Sequence, residues 1–106
     1  MPNDNLRIAQ QYYEGWETSN NELLNVSSGL KFNSPDSNFS SAKEFLDQCW
    51  QFSGVVFQNK IFLSGGEYVA VKYDFPMPDG TTKPMIEWLT IKEGTITEIQ
   101  VFYDKN

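Results

Sequence analysis

Residues 82–103, TKPMIEWLTIKEGTITEIQVFY, carry the pattern that decides the fold. Apolar side chains recur at every second position on both sides of Glu93-Gly94, a dipeptide suited to a tight turn between paired strands. Met85, Glu87, Leu89 and Ile91 share one face of the first strand, and Ile86 and Trp88 take the other. Toward the N-terminus the same period continues. Pro76-Met77-Pro78-Asp79-Gly80 reads as a longer turn, Glu67 to Phe75 as a strand, Gly65-Gly66 as a hairpin turn and Val55 to Leu63 as a further strand. The C-terminal half is therefore predicted to be an antiparallel meander.

Before residue 55 the period is helical. Asn3 or Asp4 can cap a helix running to about Thr18, with Ile8, Tyr12 and Trp16 on its inner face, Ala9 and Tyr13 beside them, and Arg7, Gln10, Gln11, Glu14 and Glu17 in water. Ser19-Asn20-Asn21-Glu22 has capping-box spacing and opens a short second helix through Leu23, Leu24 and Val26, which Gly29 can end. Leu30 to Asn33 reads as a short strand and Ser34 to Ser40 as a polar loop. Ser41-Ala42-Lys43-Glu44, a second capping box, starts a third helix to about Phe52, with Phe45, Leu46, Cys49 and Trp50 as its inner stripe. The element order α-α-β-α-β-β-β-β is an α+β fold, a single domain over residues 1–106 with helices on one face of a curved sheet.

Composition excludes several classes of function. The chain carries 14 acidic against 8 basic residues, a net charge of −6, and its lysines are scattered, so nucleic acid and anionic membrane are poor partners. A single cysteine, Cys49, fits a reducing, cytoplasmic setting, and nothing reads as a signal peptide or a membrane span. There is no histidine, which removes Ser–His–Asp triads, Cys–His pairs and His-ligated metals. The acid spacings match no calcium loop, so no metal and no cofactor are expected. The eight Phe, five Tyr and three Trp exceed what a small core needs and suit a cavity lining.

Three stretches, in this order, resemble the nuclear transport factor 2-like superfamily, and within it the SnoaL-like polyketide cyclases and ketosteroid isomerases. They are Ala9-Gln10-Gln11-Tyr12-Tyr13-Glu14-Gly15-Trp16 with Asn21-Glu22-Leu23-Leu24, then Phe32-Asn33-Ser34-Pro35, then Gly94 to Asp104. The resemblance implies a cone-shaped, cystatin-like curved sheet wrapped around the N-terminal helices, an internal pocket and, often, a homodimer. That superfamily contains enzymes, carriers and interaction modules, so the fold leaves function open.

Glu87 is the sharpest candidate for chemistry. Strand alternation sets it with Met85, and at matching parity the neighbouring strands offer Val69, Val71, Tyr73, Ile99, Val101 and Tyr103. If that face is inside, Glu87 is a lone carboxyl on an apolar wall, its pKa raised by burial. If Ile86 and Trp88 are inside, it faces water. By resemblance, Glu87 matches the strand acid that isomerases keep protonated toward a developing enolate, and Tyr12 matches their oxyanion-donating tyrosine. Where the isomerases place a general-base aspartate before a proline, this chain has Ser34-Pro35, and Asp36 can substitute only if its loop folds inward. Trp16, Ser34 and Trp50 complete the expected pocket wall, whereas Cys49 reads as core. The expected ligand is a small, largely apolar carbonyl compound, either turned over by proton transfer at Glu87 or merely held. Ile86, Trp88 and Phe102 form an outer patch suited to a second copy of the chain or another protein.

Overall fold

The computed structural model describes residues 4–104. Helix α1 spans Asp4–Glu17, and Asn3, the alternative cap, lies outside the described residues. Strands β1 (Val26–Asn33) and β2 (Asn38–Phe39) follow, then helix α2 (Ala42–Cys49) and strands β3 (Gln58–Gly65), β4 (Tyr68–Pro76), β5 (Thr82–Lys92) and β6 (Thr95–Phe102). The strands form one six-stranded sheet in the order β2-β1-β6-β5-β4-β3. It curves around α1 without closing. The class is α+β as expected, and among the described residues no helix is long and apolar enough to cross a membrane.

The meander follows the alternation. Val71, Glu87 and Val101 lie in one register row across β4, β5 and β6, and Val69, Leu89 and Ile99 form the next. Val69, Val71, Leu89 and Ile99 have no exposed surface, whereas Ile86, Trp88 and Phe102 are exposed. The concave, helix-covered face is therefore the Glu87 face. Glu93 and Gly94, both at positive φ (51° and 78°), make the two-residue turn between β5 and β6. The β3–β4 turn falls one residue later than Gly65-Gly66: Gly65 pairs with Tyr68, and Gly66 takes the positive φ.

At four places the local structure departs from the sequence reading or adds to it. The segment after α1 is a single 3₁₀ turn, Asn21–Leu23, with the Asn20 side chain accepting from the Glu22 N–H at 3.1 Å. Ser19 and Asn25 at positive φ bracket it, and β6 then captures residues from Val26 onward. Strand pairing thus overrides the helical reading of Val26. Second, β1 runs parallel to β6, the other pairings being antiparallel. Third, the loop after Ser34 contains β2, which pairs with the end of β1. Fourth, β3 begins at Gln58: Val55 to Phe57 stay outside the sheet because Glu17 accepts the Phe57 N–H at 3.1 Å and an ion pair from Lys60. Ser41 caps α2 as read, accepting from the Glu44 N–H at 3.1 Å, while the Glu44 carboxylate accepts from the N–H and hydroxyl of Ser40 in place of the Ser41 N–H; a 3₁₀ turn, Trp50–Phe52, completes the segment.

Gly15 lets the 3₁₀ turn dock on α1. A Cβ there would stand 2.8 Å from the Asn20 carbonyl oxygen and 2.9 Å from Leu24 Cδ2, closer than packing allows. Gly15→Ala is therefore expected to destabilise the fold by about 1–3 kcal/mol despite alanine's better helix propensity. Thermal denaturation should show a Tm at least about 4 °C lower; an unchanged or higher Tm would show that the turn can move aside.

Candidate functional site

Between α1, α2 and the concave sheet lies a cavity of about 330 Å³, within the range of small-molecule sites. Its walls are mainly aromatic. From α1 come Tyr12, Tyr13 and Trp16; Phe32, Phe45 and Phe75 contribute from β1, α2 and β4, and Phe57 from the segment before β3. The rings brace one another. Phe32 stacks on Phe45 at 4.7 Å, and Phe57 lies 4.9 Å from Tyr73 and 5.4 Å edge-on to Tyr13. The Glu17 contact that keeps Phe57 out of β3 thereby turns its ring into the cavity wall.

Glu87 sits on the sheet side of this space, 8% exposed. The Tyr13 hydroxyl donates to its Oε1 at 2.8 Å, and the Tyr73 hydroxyl donates to its Oε2. Tyr73 also lies 3.7 Å from Met85 Sδ. Burial pushes the Glu87 carboxyl above the usual carboxylate range, and the two phenol donors, which favour the charged form, offset part of that rise. Burial, reinforced by the nearby carboxyl, raises Tyr13 and Tyr73 well above the ordinary tyrosine value, so both remain donors. The arrangement is a carboxyl clamped by two phenols, able to accept or return a proton at the edge of an apolar space.

Of the residues expected at a pocket, Tyr12, Trp16, Ser34, Tyr73, Met85, Glu87, Val101 and Tyr103 line the cavity. Val69, Val71 and Ile99 lie in the core beneath it, and Trp50 backs Trp16 at 4.9 Å without lining the space. Tyr12 lines the wall, but it is Tyr13 that donates to Glu87. The sheet wraps α1 broadly enough to bury Ala9, Tyr12, Tyr13 and Trp16 together, as their place on or beside the inner stripe implied, while Ile8 stays only partly buried. Cys49 is half-buried, packed against the core and in the cavity wall; burial, then the Glu87 charge, raises its thiol pKa and makes it a poor nucleophile.

Ser34 is committed to its own loop. Its Oγ accepts from the Ser37 N–H at 3.0 Å and donates to the Ser37 carbonyl at 3.1 Å. The turn brings Asp36 to the cavity rim, where it accepts a hydrogen bond from the Tyr103 hydroxyl. Among the described residues no group of three or more His, Cys, Asp or Glu side chains could hold a metal ion.

No family model matches the sequence, and no curated protein matches it. Solved structures do. An NTF2-like protein of unknown function from Mesorhizobium loti superposes with a TM-score of 0.85 at 10% identity, over 95% of this chain and 91% of its own. The chain has the NTF2-like fold. A candidate polyketide cyclase from Xanthomonas campestris gives 0.80 at 11% identity, covering 95% and 90% of the two chains. TerC, co-crystallised with polyporic acid, gives 0.75 at 18% identity, covering 95% and 92%.

The raised carboxyl gives stability a defined pH dependence. A carboxyl whose folded-state pKa exceeds its unfolded value stabilises fully below the unfolded value, and that contribution is lost as pH rises through the folded one. Between pH 4.5, the ordinary glutamate value, and the raised value, the wild type should lose stability that Glu87→Gln retains. Urea titrations across that interval are expected to show the variant gaining on the wild type as pH rises. Parallel pH profiles would mean that Glu87 titrates alike in both states.

Proposed function

We propose that this protein binds a small, largely apolar molecule bearing a carbonyl or hydroxyl oxygen, and moves a proton on it through Glu87. The observation that carries this reading is the Tyr13–Glu87–Tyr73 cluster on the wall of an aromatic cavity. A buried carboxyl destabilises a fold unless partnered, and here each oxygen has one phenol donor while the residue lines the open space. In the reaction that fits, the Glu87 carboxylate takes a proton from the carbon next to a ligand carbonyl. The electron pair moves onto the carbonyl oxygen as an enolate, and Glu87 then returns the proton. Tyr13 and Tyr73 hold the carboxyl in place as positioning residues, and Tyr12 is a ring of the binding wall. Support also comes from neighbours of the same fold, one a candidate polyketide cyclase and one crystallised with polyporic acid.

The test uses β-tetralone as a probe ketone in deuterated buffer, following exchange of its α-protons by NMR and its binding by thermal shift. Wild type should accelerate exchange, and Glu87→Gln should lower that rate by about 10²–10⁴-fold while still binding. Binding with equal exchange in both proteins would reduce Glu87 to an orienting group and the protein to a carrier.

A second observation favours an added role for the outer face. Ile86, Trp88 and Phe102 are 44%, 41% and 53% exposed, and Tyr68 lies 5.5 Å from Trp88 beside them. Contiguous apolar surface of this kind suits a self-complementary contact with a second copy of the chain. Light scattering should then give twice the 12.2 kDa chain mass for wild type and the single mass for Trp88→Glu. A wild type at 12.2 kDa would dismiss self-association and leave the patch for another protein.

A further inference from the structure

The cavity does not end at its rim. Asp36, Phe52, Phe75, Met85 and Tyr103 line both the inner space and an outer groove that continues it. The groove is apolar on most sides: Val55, Val56, Pro76, Met77 and Pro78 extend its walls, and Phe52 and Val56 are more than half exposed there. Among the described residues lining the two spaces, the positively charged side chain is Lys83. Lys83, Met85 and Glu87 follow one another on the same face of β5, so Lys83 stands at the outside end of the row that Glu87 begins. Two strand repeats separate them, roughly 13 Å along β5.

We infer that the ligand is an elongated aromatic anion, with an oxygen of its inner end against Glu87 and a carboxylate or comparable anionic group at Lys83. This deepens the proposed ligand-binding function and rests on it. Both charged rim residues keep their charge, and the sign of the ligand's outer charge follows from Lys83, the one that lies on the same face of β5 as Glu87. Asp36 already accepts the Tyr103 hydroxyl. The Lys83 ammonium lies 4.8 Å from the centre of the Tyr103 ring, a contact that holds it over the mouth without neutralising it. A molecule carrying charge at its inner end would meet the apolar wall and a carboxyl, whereas an anion at the mouth stays partly hydrated and gains a charge-assisted hydrogen bond.

A hydroxystilbene with a carboxylic acid at the far end, its methyl ester and the parent hydroxystilbene form a matched probe set. Binding is read by quenching of tryptophan fluorescence. The acid should bind wild type about two- to fivefold more tightly than the ester, with the difference shrinking as salt is added. Lys83→Gln should abolish the preference and leave the ester unchanged, and Lys83→Arg should keep it. An acid and ester that bind alike, or an acid preference that survives Lys83→Gln, overturns the inference. If the parent compound binds and responds to Glu87→Gln while the acid gains nothing, the anionic end is wrong and the cavity reading stands. If no member of the set binds, both readings fall.

Discussion

A carboxyl cannot sit in an aromatic wall without donors, and the donors that Glu87 found determine how the molecule is assembled. Tyr13 reaches it from α1 and Tyr73 from β4, so one acidic side chain on β5 ties the helix to the sheet at a fixed height and rotation. Removing either phenol would leave a buried carboxyl oxygen without its partner, a loss of about 1–3 kcal/mol. The cavity beside Glu87 is the complement of this constraint. A helix held off the sheet by a polar cluster and large rings leaves a space that smaller side chains would have let collapse.

The walls of that space are held by contacts some distance from it. Glu17 anchors Phe57 through its backbone N–H, Trp50 supports Trp16 from behind, and the Ser34 hydroxyl shapes the turn that presents Asp36. None of these groups reacts. Each fixes a ring or a carboxyl whose position a ligand would sense, which is how a small domain keeps a preformed cavity open.

Polarity is graded along the pocket. Its inner region is a desolvated carboxyl among phenols, its middle is rings and thioether, and its mouth carries an ammonium over a tyrosine ring beside an exposed carboxylate. Low dielectric strengthens electrostatics at the inner end, and water weakens it at the mouth. The strand period produces this gradient directly, because alternate residues of β5 share one face from Lys83 inward.

Much of this was legible in the residues. Alternation over 82–103 settled the meander, the turn at Glu93-Gly94 and the row containing Glu87, since a period of two commits a whole strand face at once. The absence of histidine leaves acid–base chemistry to Asp, Glu, Tyr and Lys. Tertiary structure decided what depends on partners distant in sequence. It drew Val26 into a parallel pair with β6, held Val55 to Phe57 out of β3, buried one sheet face and exposed the other, and made Tyr13, with Tyr73, a donor to Glu87. Tyr12 and Tyr13 are adjacent on one helix, about 100° apart, and only the curvature of the sheet that wraps them determines which hydroxyl meets the carboxyl.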